Sequence, residues 1–156
     1  MRAKRGVAQR GSVRLISGKW GGRVLSFPSI DGLRPTLGSQ RETLFNWLRP
    51  IIRNSRCLDL FAGSGALGFE AASGGAESVF LVEKSKKVYL SLLSNAELLN
   101  AENCRIFHTT AQSFLARYPG QFDIFFLDPP FSNPVILKET VSLVAQRLSK
   151  GQLIYL

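Results

Sequence analysis

The chain has 156 residues, 45% of them hydrophobic and 20% charged, with a net charge of +9. That length buries one ordinary core, removing roughly 70% of the unfolded surface from water, and the composition excludes wholesale disorder and a disulfide-rich scaffold. No apolar run reaches the roughly 20 residues of a membrane span, and the basic N-terminus lacks the apolar segment of a secretory signal, so a cytoplasmic chain with no membrane partner is expected.

Residues 1–56 hold twelve Lys and Arg against Asp31 and Glu42, whereas residues 57–156 hold eight against nine acids. A basic third on a neutral body is the asymmetry of a surface that meets a polyanion. Residues 1–11 read as a basic tail without periodicity. Val13–Ser17 and Val24–Phe27 alternate as strands around a glycine-bearing loop, which predicts a hairpin. Arg14, Lys19 and Arg23 on it are candidate RNA contacts, and Trp20 can either stack on RNA or pack beneath the hairpin. A loop fixed by Pro35 carries Arg34, a further candidate RNA contact. Ser39 followed by Glu42 has the spacing of a capping box and predicts a helix starting there. Leu44, Phe45, Leu48 and Ile51 or Ile52 recur at helical spacing, with Trp47 also assigned to the core, and Pro50 weakens the last turn. Arg34 and Arg41 can each meet a cofactor carboxylate or an RNA phosphate. Residues 1–38 are therefore read as a basic extension and 39–156 as the catalytic domain.

From Cys57 onward, short apolar strands alternate with helices. The strands are Cys57–Phe61, Ser78–Val82, Arg105–Phe107, Phe122–Leu127 and Leu153–Leu156; the helices are Ala66–Ser73, Ser85–Leu99, Ala111–Arg117 and Pro134–Leu148. Runs such as VFLV and IFFL are apolar without alternation, the mark of strands buried on both faces. The fold class is α/β, a doubly wound, mostly parallel, Rossmann-like sheet with the basic hairpin as an N-terminal extension.

After the first of these strands comes LDLFAGSGALG, which contains Gly-x-Gly-x-x-Gly at Gly63, Gly65 and Gly68. Such a loop lets a ligand approach the backbone and a helix N-terminus, as in dinucleotide sites. Glu83, at the end of the next strand, suits two ribose hydroxyls. Asp59 decides the ligand: beside a pyrophosphate it would cost several kcal/mol at an effective dielectric of about 20, whereas it suits the sulfonium and ammonium of S-adenosylmethionine. The candidate cofactor residues on this stretch are Asp59, Ala62, Gly63, Ser64, Gly65 and Glu83.

The fourth strand runs directly into Asp128-Pro129-Pro130-Phe131, which an open α/β sheet places across the crevice from the glycine loop. An exocyclic amine on a nucleobase is a weak nucleophile because its lone pair is delocalised into the ring. Acceptors from Asp128 and the Pro129 carbonyl can hold its hydrogens and aim the lone pair, so that positioning is the main catalytic contribution. Phe131 can stack on a splayed-out base.

LDLFAGSGALGFEA, LVEKS and LDPPF, preceded by RLISGKWGGRVL and GLRPTLGSQRETLFNWL, together resemble the RsmD family of 16S rRNA (guanine-N2) methyltransferases, from about Val13 to Leu156. The resemblance implies a class I fold that takes S-adenosylmethionine as methyl donor, with Asp59, Gly63, Ser64, Gly65 and Glu83 at the cofactor. It also implies Ala111 and Gln112 near the adenine, Asp128, Pro129, Pro130 and Phe131 around a target guanine, and 16S rRNA in a partly or fully assembled small subunit as partner. The family's chain continues past the fifth strand into an antiparallel hairpin, whereas this one stops at GQLIYL, which predicts an unprotected apolar edge. A monomer with two reduced thiols, Cys57 and Cys104, no metal site and a structural or surface His108 completes the expectation. The competing readings are an amino-methyltransferase acting on adenine or DNA, a nicotinamide oxidoreductase, and a non-catalytic RNA-binding module.

Overall fold

A computed structural model describes residues 10–30, 33, 38–130 and 133–156. An antiparallel pair, β1 (Arg10–Arg14) and β2 (Val24–Pro28), precedes α1 (Gly38–Ile52). Then strands and helices alternate: β3 (Arg56–Asp59), α2 (Ala66–Ser73), β4 (Ser78–Glu83), α3 (Lys86–Leu99), β5 (Cys104–His108), α4 (Ala111–Arg117), β6 (Ile124–Phe126), α5 (Pro134–Ala145) and β7 (Leu153–Tyr155). The five later strands form one parallel sheet in the order β5-β4-β3-β6-β7.

The period-two geometry of each strand sends its side chains into two separate cores. Cys57, Val79, Leu81, Ile124 and Phe126 face one side, where they pack with residues of the hairpin, α1, α2 and α3. Leu58, Phe80, Val82, Phe125 and Leu127 face the other, under Phe114, Leu115 and Val144 of α4 and α5. Side chains on both faces are buried, which is why these strands carry continuous apolar runs. Of the two sheet edges, β7 exposes Leu153, and Leu156 beyond it is 64% exposed.

Local chemistry sets most boundaries. Ser85 and Thr110 cap α3 and α4 by accepting from Val88 N (3.5 Å) and Ser113 N (3.1 Å). Asn133 accepts from Val135 N and Ile136 N, with Pro134 in the first turn of α5. That helix ends at Ala145, earlier than predicted, because Arg147 and Leu148 bond three residues back, to Val144 O and Ala145 O. The capping box is not realised: α1 begins at Gly38 and Ser39 lies inside its first turn. Pro50 is accommodated within the helix near its end. Trp47 was assigned to the core but is 77% exposed, while Phe45 and Leu48 on the same helix are buried.

The hairpin begins earlier than the sequence pattern suggested. Pairing runs from Arg10↔Pro28 to Arg14↔Val24 and is extended by Leu15 N donating to Arg23 O (2.8 Å). It stops because the next two amides, Ile16 and Ser17, turn into the protein and donate to the carboxylate of Glu70 on α2 at 3.0–3.1 Å. Arg41 of α1 closes the same cluster, 3.3 Å from Glu70 and hydrogen-bonded to the Arg14 carbonyl. Burial lowers the Arg41 pKa against the opposing pull of Glu70. The side chain placed by sequence near a cofactor or a phosphate is thus a buried clamp between hairpin and body. Trp20, 5% exposed, also belongs to this core, and its backbone amide donates to Ser73 Oγ at 2.9 Å.

Candidate active site

The chain runs from β3 outward through β4 to β5, then crosses back to place β6 and β7 on the opposite side of β3. Loops leaving β3 and β6 therefore diverge, and an open α/β sheet binds its ligand in the crevice this creates at the carboxyl ends. A cavity of about 900 Å³ occupies that position. Its walls include Asp59, Ala62, Gly63, Ser64, Glu83, Ala111, Gln112, Asp128, Pro129 and Pro130, so the described residues singled out by sequence for cofactor and base come together, with one exception. Gly65 stands behind the wall. Its φ of +83° caps α2, and a Cβ there would lie 2.5 Å from the Phe69 ring and 2.9 Å from Leu92. Phe131 lies outside the described residues, as do Arg34 and the basic tail up to residue 9.

The glycine loop is held by the acid expected to meet a ribose. Glu83 Oε2 accepts from Gly63 N (2.9 Å) and Oε1 from Ser85 N (3.0 Å), so the carboxylate is fixed at the end of β4 with lone pairs to spare. Gly63 has φ +54°, and a side chain there would meet Leu33 Cδ1 at 2.9 Å. Cap bonding by Thr110 sets the first turn of α4, which presents Ala111 and Gln112 to the cavity.

Asp59 ends β3 at 1% exposure, and neither carboxylate oxygen receives a hydrogen bond of normal geometry. Burial pushes its pKa up to about 7; the Phe61 and Gly68 amides pull the other way, and the charges of Asp128 and Glu83 add to the rise. A buried, unsatisfied carboxylate is costly unless charge or donors are brought to it. Lys84 is the one Lys or Arg among the described lining residues. This acid-rich wall therefore suits a ligand that carries positive charge and fits a pyrophosphate poorly. No group of three or more His, Cys, Asp or Glu suited to a metal occurs among the described residues.

Asp128, Pro129 and Pro130 leave β6 on the opposite wall. Among the lining residues that sequence does not single out, Ile30, Leu33, Gln40, Ile136 and Tyr155 lie furthest from the motifs. They come from a loop, two helices and an edge strand far apart in sequence and carry no local motif. The alternation of β7 and its alignment beside β6 were the signals available for Tyr155.

Of the candidate RNA contacts, Arg14, Lys19 and Arg23 are exposed. Arg14 Nη1 donates to Gly22 O (2.8 Å) and Arg23 Nη2 to Leu98 O (3.1 Å), while Lys19 Nζ sits 5.9 Å from the centroid of the Trp20 ring. Of the two places open to Trp20, stacking on RNA or packing beneath the hairpin, its 5% exposure fits the second. His108 lies at the surface, its Nε2 3.1 Å from Lys84 O and its ring stacked on Tyr89. Both cysteines are free, and burial raises each thiol to about 12, which keeps them protonated and unreactive.

Residues 13–156 match a protein family described as conserved hypothetical protein 95. Ribosomal RNA small subunit methyltransferase D of Escherichia coli K12 is 46% identical over 147 residues, covering 93% of this chain and 74% of that protein. Its namesake in Haemophilus influenzae is 42% identical over 152 residues, covering 94% and 78%. Among solved structures, the yhhF protein of Escherichia coli superposes with a TM-score of 0.85 at 42% identity, over 94% of this chain and 80% of that one.

Proposed function

The chain belongs to the RsmD family of ribosomal RNA small subunit methyltransferases, and from that premise we propose that it methylates the exocyclic N2 of a guanine in 16S rRNA, using S-adenosylmethionine. One observation carries the reading: the buried carboxylate of Asp59 and the Asp128-Pro129-Pro130 segment line a single cavity at the switch point of the sheet.

Bound S-adenosylmethionine supplies an electrophilic methyl group on a positively charged sulfur. Asp59 offers that charge a buried carboxylate whose oxygens accept no hydrogen bond of normal geometry, and Glu83 offers acceptors for ribose hydroxyls. Ala111 and Gln112, at the start of α4, would border the adenine, and the Gly63–Ser64 backbone gives close approach. Asp128 and the Pro129 carbonyl accept from the guanine amine, drawing its lone pair out of conjugation and fixing its direction. Because prolines lack an amide donor and have fixed φ, this wall is rigid and rich in acceptors. Preorganised acceptors of this kind cost nothing to reorganise during the reaction. No strong base is required, since the amine becomes acidic only once methylated, and its proton then passes to Asp128 or to water. Phe131 would stack on the base.

The basic residues Arg14, Lys19, Arg23 and Arg34 are the RNA-facing part of this reading, with residues 1–38 acting as the substrate-binding extension of the 39–156 catalytic domain. The substrate is proposed to be 16S rRNA in a partly or fully assembled small subunit, met by a monomer. No helix among the described residues is long and apolar enough to cross a membrane.

Transfer of labelled methyl groups to 16S rRNA tests the assignment of roles. Asp128→Ala is expected to lower the rate by about 100-fold or more, the scale of a lost transition-state contact, with S-adenosylhomocysteine affinity within a factor of about two. Equal loss of binding and rate would place Asp128 at the cofactor instead.

A further inference from the structure

The mouth of the cavity carries cations that the fold itself does not use. Lys84, Lys86 and Lys87 lie at the exit of β4 and the start of α3, and all three are exposed. None of them forms an ion pair, or donates a hydrogen bond from its ammonium group, to another described residue. The first turn of α3 contains no acid, and the residues three and four positions beyond Lys86 and Lys87 are Tyr89, Leu90 and Ser91, so no intrahelical pair offsets their charge. A helix N-terminus carries partial positive charge, which makes it an unfavourable place for lysines. The backbone that presents them is nevertheless pinned. Glu83 Oε1 accepts from Ser85 N (3.0 Å), Ser85 Oγ accepts from Val88 N (3.5 Å), and His108 Nε2 on the neighbouring strand donates to Lys84 O (3.1 Å).

Lys84 lines the cavity together with Ser85 and Val88, so this basic segment begins at the rim. The cations of the hairpin turn lie elsewhere. Lys19 N donates to Ser73 O (2.8 Å) at the end of α2, and Arg23 Nη2 to Leu98 O (3.1 Å) in the last turn of α3, where a cation is favoured. Both helices start at the crevice and are about 12 Å and about 20 Å long, so Lys19 and Arg23 stand towards the opposite end of the sheet. Inside the cavity, Asp59, Glu83 and Asp128 make an acid-rich wall that a base can enter but that repels a phosphate. A polynucleotide with one base in the cavity therefore keeps its backbone at the rim.

We propose that the start of α3 is an RNA-backbone surface: the ammonium groups of Lys86 and Lys87, continued by Lys84 at the rim, pair with phosphates flanking the nucleotide whose base enters the cavity. The inference rests on the function proposed above and deepens it by saying where the strand crosses the protein. A lysine acts as a flexible point charge, and phosphate contacts position a strand without reading its sequence. Bound phosphates also relieve the mutual repulsion of three unpaired cations at a helix start. The hairpin cations then meet a separate, more distant stretch of the RNA.

Changing Lys86→Ala and Lys87→Ala together leaves the cavity wall intact, because neither side chain lines it. Binding of naked 16S rRNA across a salt series should lose about 1.4 from the slope of log affinity against log salt, at roughly 0.7 per phosphate contact on a single strand. In methyl transfer, KM for the rRNA is expected to rise about tenfold at ~0.1 M salt, with kcat and the affinity for S-adenosylhomocysteine within about twofold. The double variant should not lower the urea midpoint, since it removes repulsion at the helix start, and Lys86→Arg with Lys87→Arg should restore the slope. An unchanged salt slope would overturn the proposal, as would an equal loss of affinity for S-adenosylhomocysteine, which would put the lysines at the cofactor. If the wild-type protein binds 16S rRNA but transfers no methyl group, the functional reading fails on its own, and the slope still decides the role of the lysines. Absence of any wild-type binding to 16S rRNA would overturn the surface itself.

Discussion

At the scale of single residues, the unusual group is Asp59, whose pKa of about 7 follows from complete burial, which outweighs the opposing pull of the Phe61 and Gly68 amides. Unfolded, this carboxyl ionises near pH 4; folded, it keeps its proton until about pH 7. The folded state therefore binds more protons across that window, and the contribution of Asp59 to stability falls as pH rises from about 4 to 7, then levels. The full change is on the order of 4 kcal/mol as an upper bound. Asp59→Asn removes the titration. Urea midpoints of the two proteins at pH 5 and pH 8 should show the wild type losing ground to the variant at the higher pH. A difference independent of pH would contradict the assignment. The same residue shows what a motif can convey. The glycine pattern suggests only that an adenosine-bearing ligand reaches the backbone, and Gly65 does not even line the cavity. Asp59, four residues upstream of Gly63, carries the information about ligand charge.

At the scale of elements, the hairpin is locked to the body by one buried carboxylate. Glu70 receives the Ile16 and Ser17 amides and pairs with Arg41, all at 3.3 Å or closer. Removing the carboxylate leaves the buried Arg41 charge without its counter-ion and the Ile16 and Ser17 amides without their acceptor. Glu70→Ala is therefore expected to cost roughly 3–5 kcal/mol, measured by urea denaturation; a loss below about 1 kcal/mol would mean that water replaces the carboxylate there. Local signals made α2 and α4 legible to the residue, because a glycine turn or a Thr110 cap sits at their starts and the apolar runs of the flanking strands fix their ends. Elsewhere local signals lost to tertiary ones. Ser39-x-x-Glu42 has capping-box spacing, but the helix starts at Gly38. Glu70 sits within an apolar helical stretch, and nothing near it in sequence shows that its partners lie 29 to 54 residues upstream. Trp47, expected in the core, lies on the outer face of α1, and Trp20, which the sequence leaves open between stacking on RNA and packing, is buried where the hairpin meets α2.

For the whole molecule, the parallel sheet and its switch point were legible because two-sided burial imposes apolar runs on β3, β4 and β6, and the chain order of strands and helices then limits the topology. The two segments that meet at the cavity, around Asp59–Ser64 and Asp128–Pro130, were legible because each is contiguous. Walls of the cavity assembled from separate segments, such as Gln40 and Tyr155, were not, since only the fold brings them together. The charge asymmetry makes a further prediction at this scale. With Arg14, Lys19 and Arg23 changed together to Ala, the slope of log affinity for rRNA against log salt should flatten by about 2 to 3, at roughly 0.7–0.9 per phosphate contact, and an unchanged slope would remove the hairpin from the RNA surface. The central claim is methyl transfer to the exocyclic amine of a guanine in small-subunit rRNA. It is tested most directly by incubating the protein with S-adenosylmethionine and either naked 16S rRNA or assembled small subunits, then identifying the modified nucleoside by mass spectrometry. The account predicts a single N2-methylguanosine in 16S rRNA; a methylated adenosine, or no methylated nucleoside with either substrate, would contradict it.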